Sequence, residues 1–485
     1  MDKENLTLLT DLYQLTMMQG YLDSGIHQKE VVFDLFYRQN PCENGFAITA
    51  GLQQAIEYIK NLHFSESDLD YLRSLGIFQE KFLAYLKDFS FHGEIYAIPE
   101  GTVVFPKEPL VRVKAPVIEA QLVETALLTI INHQSLIATK ASRVCWAAQG
   151  DPVLEFGLRR AQGPDAGTLG ARAAMIGGCA ATSNVLTGKL FDVPVRGTHA
   201  HSWVMSFPDE LTAFREYARL FPDACCLLVD TYDTLKSGVP HAIQVFDEMK
   251  AAGIQLKNYG IRLDSGDLAY LSKRARAMLD EAGYPDAVIS ASSDLDEFLV
   301  QSLKNQGAAI AQWGIGTKMI TCSDCPSFGG VYKMSAEDRG DGTFEPKIKL
   351  SDNPEKITNP GIKKVFRIYD KESGKVKADL IALEEETIDT HKELFLFDPE
   401  ATWKQMTLAP DSYTVRELLV PVFVDGTCVY QSPSVMEIRD YCQKEQNSLW
   451  DEYRRLRYPH TLPVDLSQKL YDLKMGLIKK MRGES

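Results

Sequence analysis

Apolar positions in the first third of the chain switch between helical and strand spacing. Residues 5–23 place leucine and methionine every three or four positions, which predicts an amphipathic helix, and 31–38 has the pattern of a buried strand. Alternating β-branched residues with Gly and Pro predict strands within 93–114. Further helices are predicted at 47–62, 66–88 and 117–149. The segment 1–149 is therefore expected to form an N-terminal α+β region.

From about residue 150, short apolar strands alternate with helices. The predicted strands are DPVLEFGLR, FDVPVRGT (191–198), CCLLVDTYD, YGIRLDSGD, AVISASSD and AAIAQWGIGT. The predicted helices between them are 167–187, 239–252, 267–282 and 295–306. Strands that are apolar on both faces and separated by helices indicate parallel pairing through βαβ crossovers. We favour an α/β fold with an irregular β/α barrel over 150–330, and keep an open doubly wound sheet as the alternative.

Beyond residue 330 the pattern changes to strands separated by charged turns. The strands predicted there are GGVYKM, PKIKLS, KKVFRIYD and KADLIAL. Ser434 and Glu437 form a capping-box pattern, which predicts the start of a helix. We expect 331–485, a strand-rich extension with a helical tail, to pack on 1–149. The N-terminal and C-terminal segments would then build a second α+β domain together.

Composition excludes several classes of function. A net charge of −14 over 485 residues disfavours a nucleic-acid partner. The chain contains no run of about 18 uncharged apolar residues, so a membrane span is not expected. Its nine cysteines lack regular spacing, which predicts reduced thiols and a cytoplasmic location. Cys322 and Cys325 form a lone CxxC pair, interpreted as structural because a zinc site needs about four ligands.

Polar residues concentrate at the C-terminal ends of the predicted barrel strands, where β/α barrels build their active sites. The segment WGIGTKM (313–319) offers backbone N–H groups to a phosphate, although a tight turn would explain its glycines equally well. A basic cluster, able to make a cleft locally attractive to anions, comprises Lys140, Arg143, Arg159, Arg160, Arg172 and Arg196. A small anionic ligand is therefore compatible with the acidic chain.

The segment RLDSGD places Arg262 and Asp264 on the same side of a strand end. The two side chains would form a buried pair, or Arg262 would grip a planar carboxylate of a ligand. Asp267 is predicted to cap the helix that follows.

The segment GTHAHSW contains His199 and His201, and three interpretations stay open. An HxH pair at a strand end is typical of metal-dependent hydrolases, but these need further ligands on later strands. One histidine would otherwise be packed in the interior. The third interpretation, favoured by the nearby arginines, is a nucleophilic or positioning histidine beside a phosphate site.

Taken together, these motifs resemble the nicotinate phosphoribosyltransferase family. The resemblance is carried, in the family's order, by TDLYQLTM (10–17), FDLFYR (33–38), EFGLRRAQGPD (155–165), RGTHAHSW (196–203), VDTYDT (229–234), GIRLDSGDL (260–268), SSD (292–294), WGIGT (313–317) and GGVYKM (329–334). One departure is His199, where an apolar residue is expected more often. The resemblance implies a type II phosphoribosyltransferase fold, an irregular β/α barrel with a second domain.

The resemblance also implies a reaction. Phosphoribosyl pyrophosphate and nicotinate would give nicotinate mononucleotide and pyrophosphate in NAD salvage, coupled to ATP hydrolysis and with Mg²⁺ bound to the substrates. A homodimer with shared sites is implied, and no protein ligand to a metal is identified. The alternatives are an HxH metal-dependent hydrolase on a β/α barrel and a non-catalytic ligand-binding relative.

Site residues follow from the matched positions. His201 matches the histidine that ATP phosphorylates, and Arg159 matches an arginine near the substrates. The resemblance implies that nicotinate is bound by Tyr13, donated by the partner subunit, with Thr198 and Arg262. For phosphoribosyl pyrophosphate the implied residues are Asp264, Ser265, Gly314, Gly316 and Thr317.

Overall fold

The computed structural model describes residues 5–353 and 356–483, which form two compact units. The first unit joins the chain up to Leu136 to Ser327–Pro433 and to the segment from Tyr441 onward. The second unit contains Ile137–Pro326 and Ser434–Asp440. The expected sharing of one α+β domain by the two ends of the chain is confirmed by this division. The divisions fall near residues 136 and 326, where the sequence suggested 149 and 330, because one helix, Glu124–Ala147, crosses from one unit into the other.

The first unit is built on a mixed set of sheets. Strand Glu30–Tyr37 runs antiparallel between Val111–Pro116 and Gly330–Asp338, so segments about 300 residues apart share one hydrogen-bonded sheet. The seven strands of that sheet, in spatial order, are Phe344–Pro346, Gly330–Asp338, Glu30–Tyr37, Val111–Pro116, Glu94–Ala97, Val420–Val424 and Thr427–Cys428. A four-stranded sheet contains Tyr413–Glu417, Lys363–Asp370, Val376–Leu383 and Val464–Leu466. Two-stranded pairs are Leu394–Phe397 with Gln405–Leu408 and Ala47–Ile48 with Val103–Val104.

The helices around these sheets are shorter than the sequence pattern suggested. The predicted helix 66–88 is interrupted near Gly76, whose φ of +69° lies in the left-handed region that ends helices. The predicted helix 47–62 starts with a short strand and is helical only from Leu52. The helices that lie wholly in this unit are Leu12–Asp23, Leu52–Lys60, Glu66–Ser74, Glu80–Lys87, Val117–Leu122 and Gln468–Arg482. Two more helices, Glu124–Ala147 and Val435–Asn447, belong partly to each unit.

The second unit contains a parallel sheet that curls into half of a barrel. Its strands, in spatial order within the described residues, are Ala181–Thr182, Val153–Glu155, Gln312–Ile315, Val288–Ser293, Asn258–Leu263 and Ala224–Leu228. Within this sheet, the strand that comes last in the sequence, Gln312–Ile315, pairs with the strand that comes first, Val153–Glu155. Such pairing of first and last strands is how a β/α barrel closes, whereas a doubly wound sheet keeps them apart. The predicted irregular barrel is confirmed.

The helices of the second unit alternate with these strands. They are Pro164–Ile176, Val185–Phe191, His201–Met205, Glu210–Leu220, Val239–Ala251, Leu268–Glu281, Glu297–Asn305 and Thr317–Ile320. Two predicted helix starts are confirmed. Asp267 accepts a hydrogen bond from the Tyr270 N–H, and Ser434 and Glu437 bond each other's backbone N–H groups.

The strand predicted over 191–198 is wrong. Residues up to Phe191 finish a helix, Asp192 has a φ of +50°, and only Val195 makes a parallel bridge, to Thr182. Pro194 has no N–H to donate to a neighbouring strand, which prevents a regular ladder here. The barrel wall therefore stays open after this bridge, and the GTHAHSW segment forms a loop and a short helix.

Among residues 5–353 and 356–483, no helix combines the length and apolar character needed to cross a membrane.

Candidate active site

Three side chains from strand ends meet the His201 side chain of the GTHAHSW segment in the second unit. The His201 Nδ1 lies 3.1 Å from the Thr231 hydroxyl, and its Nε2 lies 3.8 Å from an Asp264 carboxylate oxygen. The other Asp264 oxygen accepts a hydrogen bond from the Ser292 hydroxyl. The His201 and Asp264 side chains are each 40% exposed. The imidazole is therefore oriented by protein groups and still open to a ligand.

Asp230 fixes the loop that carries Asp264. One of its carboxylate oxygens accepts from the Asp264 N–H at 2.7 Å and from the Ser265 hydroxyl at 2.8 Å. The other oxygen, Oδ1, is buried and has no hydrogen-bond partner among the described residues. Since a buried carboxylate oxygen is costly to leave unsatisfied, this atom is suited to a donor or cation supplied by a ligand.

Arg262 points its guanidinium at the GTHAHSW loop. One terminal nitrogen donates to the Thr198 hydroxyl at 2.6 Å and the other to the His199 carbonyl at 3.0 Å. The expected alternative of an Arg262–Asp264 pair is wrong, because Asp264 is engaged by Ser292 and approaches His201. Among the described residues, both hydrogen-bond acceptors of Arg262 are neutral. Its positive charge is thus left for an anionic ligand.

His199 faces the interior and settles one of the open interpretations. It is 8% exposed, its Nε2 accepts the Leu228 N–H at 3.2 Å, and its ring packs edge-on against Tyr217 at 4.7 Å. Burial lowers the pKa of His199 to about 4, so the ring is neutral at physiological pH. An HxH metal site loses its first ligand, because this Nε2 is already occupied. In the described part of the chain, no group of three metal-ligating side chains includes either histidine.

The buried His199 is expected to make stability pH-dependent. In the unfolded chain this imidazole takes up a proton near pH 6.5, whereas in the folded state it does so only near pH 4. Its contribution is complete above the unfolded pKa and declines as the pH falls toward 4. We expect the free energy of unfolding, measured with urea, to fall between about pH 7.5 and about pH 5 by about 2 kcal/mol more in wild type than in His199→Gln. Glutamine keeps an acceptor for Leu228 without titrating, and equal losses in the two proteins would contradict this account.

Half of the predicted basic cluster serves the interior instead of a ligand. Lys140 and Arg143 both bond the fully buried Glu297 carboxylate, at 2.7 and 2.8 Å. Arg172 is also buried, and its guanidinium lies over the Phe191 ring. Charges buried in this way are compensated within the protein. The remaining members are exposed, namely Arg159, Arg160 and Arg196.

The two adjacent arginines lie in the turn Leu158–Arg160 at the end of strand Val153–Glu155. Both of their side chains are exposed. Gly157 at the start of this turn donates its N–H to the Glu155 carboxylate, which is fully buried and also accepts from Thr182 at 2.6 Å. The turn that carries Arg159 is therefore anchored. No bond from Arg159 to the His201 group is found in the described residues.

The two glycines of the WGIGTKM segment, Gly314 and Gly316, are explained in different ways. A side chain at Gly314 would approach the Phe156 ring to 2.6 Å, so packing alone requires glycine there. Gly316 precedes the short helix Thr317–Ile320, and Thr317 is its first residue. Of the predicted phosphoribosyl pyrophosphate residues, Gly316 and Thr317 lie at the strand end, while Gly314 lies inside the strand.

Tyr13 belongs to the first unit. It lies on helix Leu12–Asp23 and is 48% exposed, next to Leu12, which is 54% exposed. Its role in nicotinate binding stays a prediction.

Sequence reasoning did not single out Thr231, Asp230 and Ser292 as site residues. The signal was present, because each lies at the C-terminal end of an apolar strand, at the same edge as Asp264. Which of several polar residues at a strand end turns inward depends on the hydrogen bonds of the folded loop.

Known proteins resemble this chain along nearly its whole length. Family models of the nicotinate phosphoribosyltransferase N-terminal and C-terminal domains match residues 8–132 and 362–474. Nicotinate phosphoribosyltransferase of Bacillus subtilis is 48% identical over 479 residues, covering 99% of this chain and 96% of the relative. The Caenorhabditis elegans nicotinate phosphoribosyltransferase is 34% identical, covering 96% and 92%. The crystal structure of human nicotinic acid phosphoribosyltransferase superposes with a TM-score of 0.82 at 31% identity, covering 97% of this chain and all of that one.

Proposed function

Because this chain belongs to the nicotinate phosphoribosyltransferase family, we propose that it transfers phosphoribosyl from phosphoribosyl pyrophosphate to nicotinate. The products are nicotinate mononucleotide and pyrophosphate, the reaction is coupled to ATP hydrolysis, and it serves NAD salvage. The observation that carries the proposal is Arg262, whose charge faces neutral groups beside His201. A guanidinium in that setting matches the carboxylate of nicotinate.

Nicotinate is proposed to bind against Arg262 and Thr198. The Arg262 fork takes the carboxylate, and the Thr198 hydroxyl, already held by Arg262 at 2.6 Å, helps to orient the ring. Tyr13 is proposed to cover the ring from the partner subunit of a homodimer, which fits an exposed aromatic side chain.

Phosphoribosyl pyrophosphate is proposed to bind at the neighbouring strand ends. The carboxylate of Asp264 and the hydroxyl of Ser265 suit the ribose hydroxyls, and the backbone at Gly316 and Thr317 suits the phosphate. Gly314 supports this segment by its packing against Phe156. The exposed Arg159 is proposed to face the departing pyrophosphate.

The chemical step needs positioning more than proton transfer. The pyridine nitrogen of nicotinate attacks the ribose C1 as the bond to pyrophosphate breaks, so positive charge develops on the sugar and negative charge on the leaving group. The nitrogen is nucleophilic without a base. This agrees with a site that offers cations and oriented loops.

His201 is proposed to accept the γ-phosphoryl group of ATP. An imidazole nitrogen of His201 forms the bond to phosphorus as the bond to ADP breaks, and water later releases phosphate. Contact with the Thr231 hydroxyl keeps the ring in one orientation, and its 40% exposure leaves room for the nucleotide.

Magnesium bound to the substrates would neutralise charge on the phosphates. The residues fit such an ion, since Asp230 has a buried carboxylate oxygen without a partner and the Asp264 carboxylate is 40% exposed. Carboxylate oxygens and water are the ligands that magnesium prefers.

A turnover assay tests the proposed function. Purified protein is incubated with nicotinate, phosphoribosyl pyrophosphate, ATP and magnesium, and nicotinate mononucleotide is measured by chromatography. We expect product to form in step with ADP. Absence of product would instead support a non-catalytic relative. Hydrolysis of amide substrates by protein that retains a tightly bound metal would support the alternative of an HxH metal-dependent hydrolase.

A further inference from the structure

A cavity of about 660 Å³ lies within the first unit, and none of the proposed catalytic residues lines it. Its walls come from the turn at Phe105–Lys107, the loop 398–406, the segment 453–466 and the helix Gln468–Arg482. Small-molecule sites commonly enclose about 300–1,000 Å³. This volume, called the Lys474 cavity below, is therefore large enough for a ligand of nucleotide size.

Lys474 places a positive charge in the wall of the cavity. Its ammonium group donates to the Asn359 side-chain oxygen at 2.8 Å, and no ion pair to a carboxylate of the described residues is formed. Burial, with a smaller contribution from the nearby Lys107, lowers the pKa of Lys474 to about 8, and the charge of Glu400 opposes this shift. The hydrogen-bond partner of this largely buried ammonium is a neutral amide. Glu400, the carboxylate whose charge acts on Lys474, is already paired with Lys107, so the ammonium lacks a counter-ion of its own. An anion in the cavity would supply it.

Two other cations of the walls are already compensated. Lys107 pairs with Glu400, and Lys404 lies 3.6 Å from Asp398. Arg38 also lines the cavity and adds a positive charge at another wall. The Lys107 backbone has a φ of +73°, an uncommon conformation for a residue with a side chain, which is held by its N–H bond to the Tyr37 carbonyl.

Asp465 contributes a carboxyl group to the same cavity. It is 3% exposed, lines the same cavity, and forms no ion pair with a cation of the described residues. Burial, with a smaller contribution from Asp398, raises the pKa of Asp465 to about 6. A buried carboxyl group without an ion pair is a good partner for hydroxyl groups, as in the carboxylates that bind ribose in nucleotide sites. Apolar surface beside it comes from Pro399, Met406 and Leu462.

We propose that the Lys474 cavity binds a nucleoside monophosphate as an effector, separately from the substrates of the transferase reaction. Lys474 holds the phosphate, and Asp465 accepts the ribose hydroxyls. The base lies against the apolar wall. This arrangement uses the lysine as a point charge, which is its common role with phosphates.

Calorimetric titration of the full-length protein with AMP tests the proposal. We expect one binding event that saturating nicotinate and phosphoribosyl pyrophosphate do not displace, with adenosine and inorganic phosphate each binding at least about tenfold more weakly. Lys474→Gln should weaken AMP binding by about tenfold to a hundredfold while leaving turnover without AMP unchanged. The matched control is Lys469→Gln, an exposed lysine of the same helix outside the cavity, which should bind AMP like wild type.

Several outcomes would overturn the proposal. They are wild-type affinity in Lys474→Gln, no binding of AMP at millimolar concentration, and phosphate alone binding as tightly as AMP. Should Lys474→Gln fail to fold, photolabelling of wild type with 8-azido-AMP replaces it. Labelled peptides from 399–406 or 453–466 support the site, and labelling confined to other peptides overturns it. The turnover assay reports separately on the transferase function, so the two can fail independently.

Discussion

Replacing His201 with alanine is expected to abolish the stimulation of turnover by ATP without abolishing synthesis of nicotinate mononucleotide. The imidazole is the proposed acceptor of the phosphoryl group, and alanine has no atom to replace it. The displacement at the ribose C1 depends instead on Arg262 and the strand-end loops, which the substitution leaves in place. The ratio of steady-state rates with and without ATP should fall to about one in the variant.

The control for this experiment is His391→Ala, which removes an exposed histidine of the first unit, paired with Asp411. That variant should keep the wild-type ratio. An ATP stimulation in His201→Ala equal to that of wild type would show that ATP acts through another group. Loss of all activity with and without ATP would show that His201 takes part in the displacement itself.

Replacing Arg262 with lysine is expected to lower kcat/KM for nicotinate by about tenfold to a hundredfold, equivalent to about 1.5–3 kcal/mol for a charge-assisted hydrogen bond. Lysine keeps the charge but not the planar fork that meets a carboxylate with two bonds. It also cannot hold both the Thr198 hydroxyl and the His199 carbonyl as Arg262 does. Wild type should strongly prefer nicotinate to nicotinamide.

The diagnostic result is a smaller difference in kcat/KM between nicotinate and nicotinamide in Arg262→Lys, caused mainly by a lower kcat/KM for nicotinate. Arg274→Lys, a change at an exposed arginine on helix Leu268–Glu281, serves as the matched control and should keep the wild-type preference. If Arg262→Lys keeps that preference too, the selectivity for nicotinate lies elsewhere.

The barrel and its active edge could be predicted from sequence because both follow from local patterns. Apolar strands alternating with helices imply parallel pairing, and parallel strands bring their carboxyl ends to one edge. Capping by Asp267 and the Ser434–Glu437 pair could be predicted for the same reason, since each involves residues within one turn of a helix.

The roles of individual charges could not be predicted in this way. Lys140 and Arg143 belong to a basic stretch in sequence, yet both pair with Glu297, about 150 residues further along. A pair so distant leaves no local signal. The turn of His199 into the interior depends on the Leu228 N–H and the Tyr217 ring, which are also remote in sequence. The prediction of a strand over 191–198 was wrong because an apolar pattern does not show that Pro194 lacks the N–H that a strand ladder needs.

The central claim is that His201 receives phosphate from ATP, and the most direct measurement is transfer of label from γ-labelled ATP to the protein. We expect wild type to acquire a label that is lost in acid and stable in base, as phosphohistidine is, and that maps to the peptide containing His201. His201→Ala should stay unlabelled, while His391→Ala should be labelled like wild type. Equal labelling of wild type and His201→Ala, or a label stable in acid, would contradict the account.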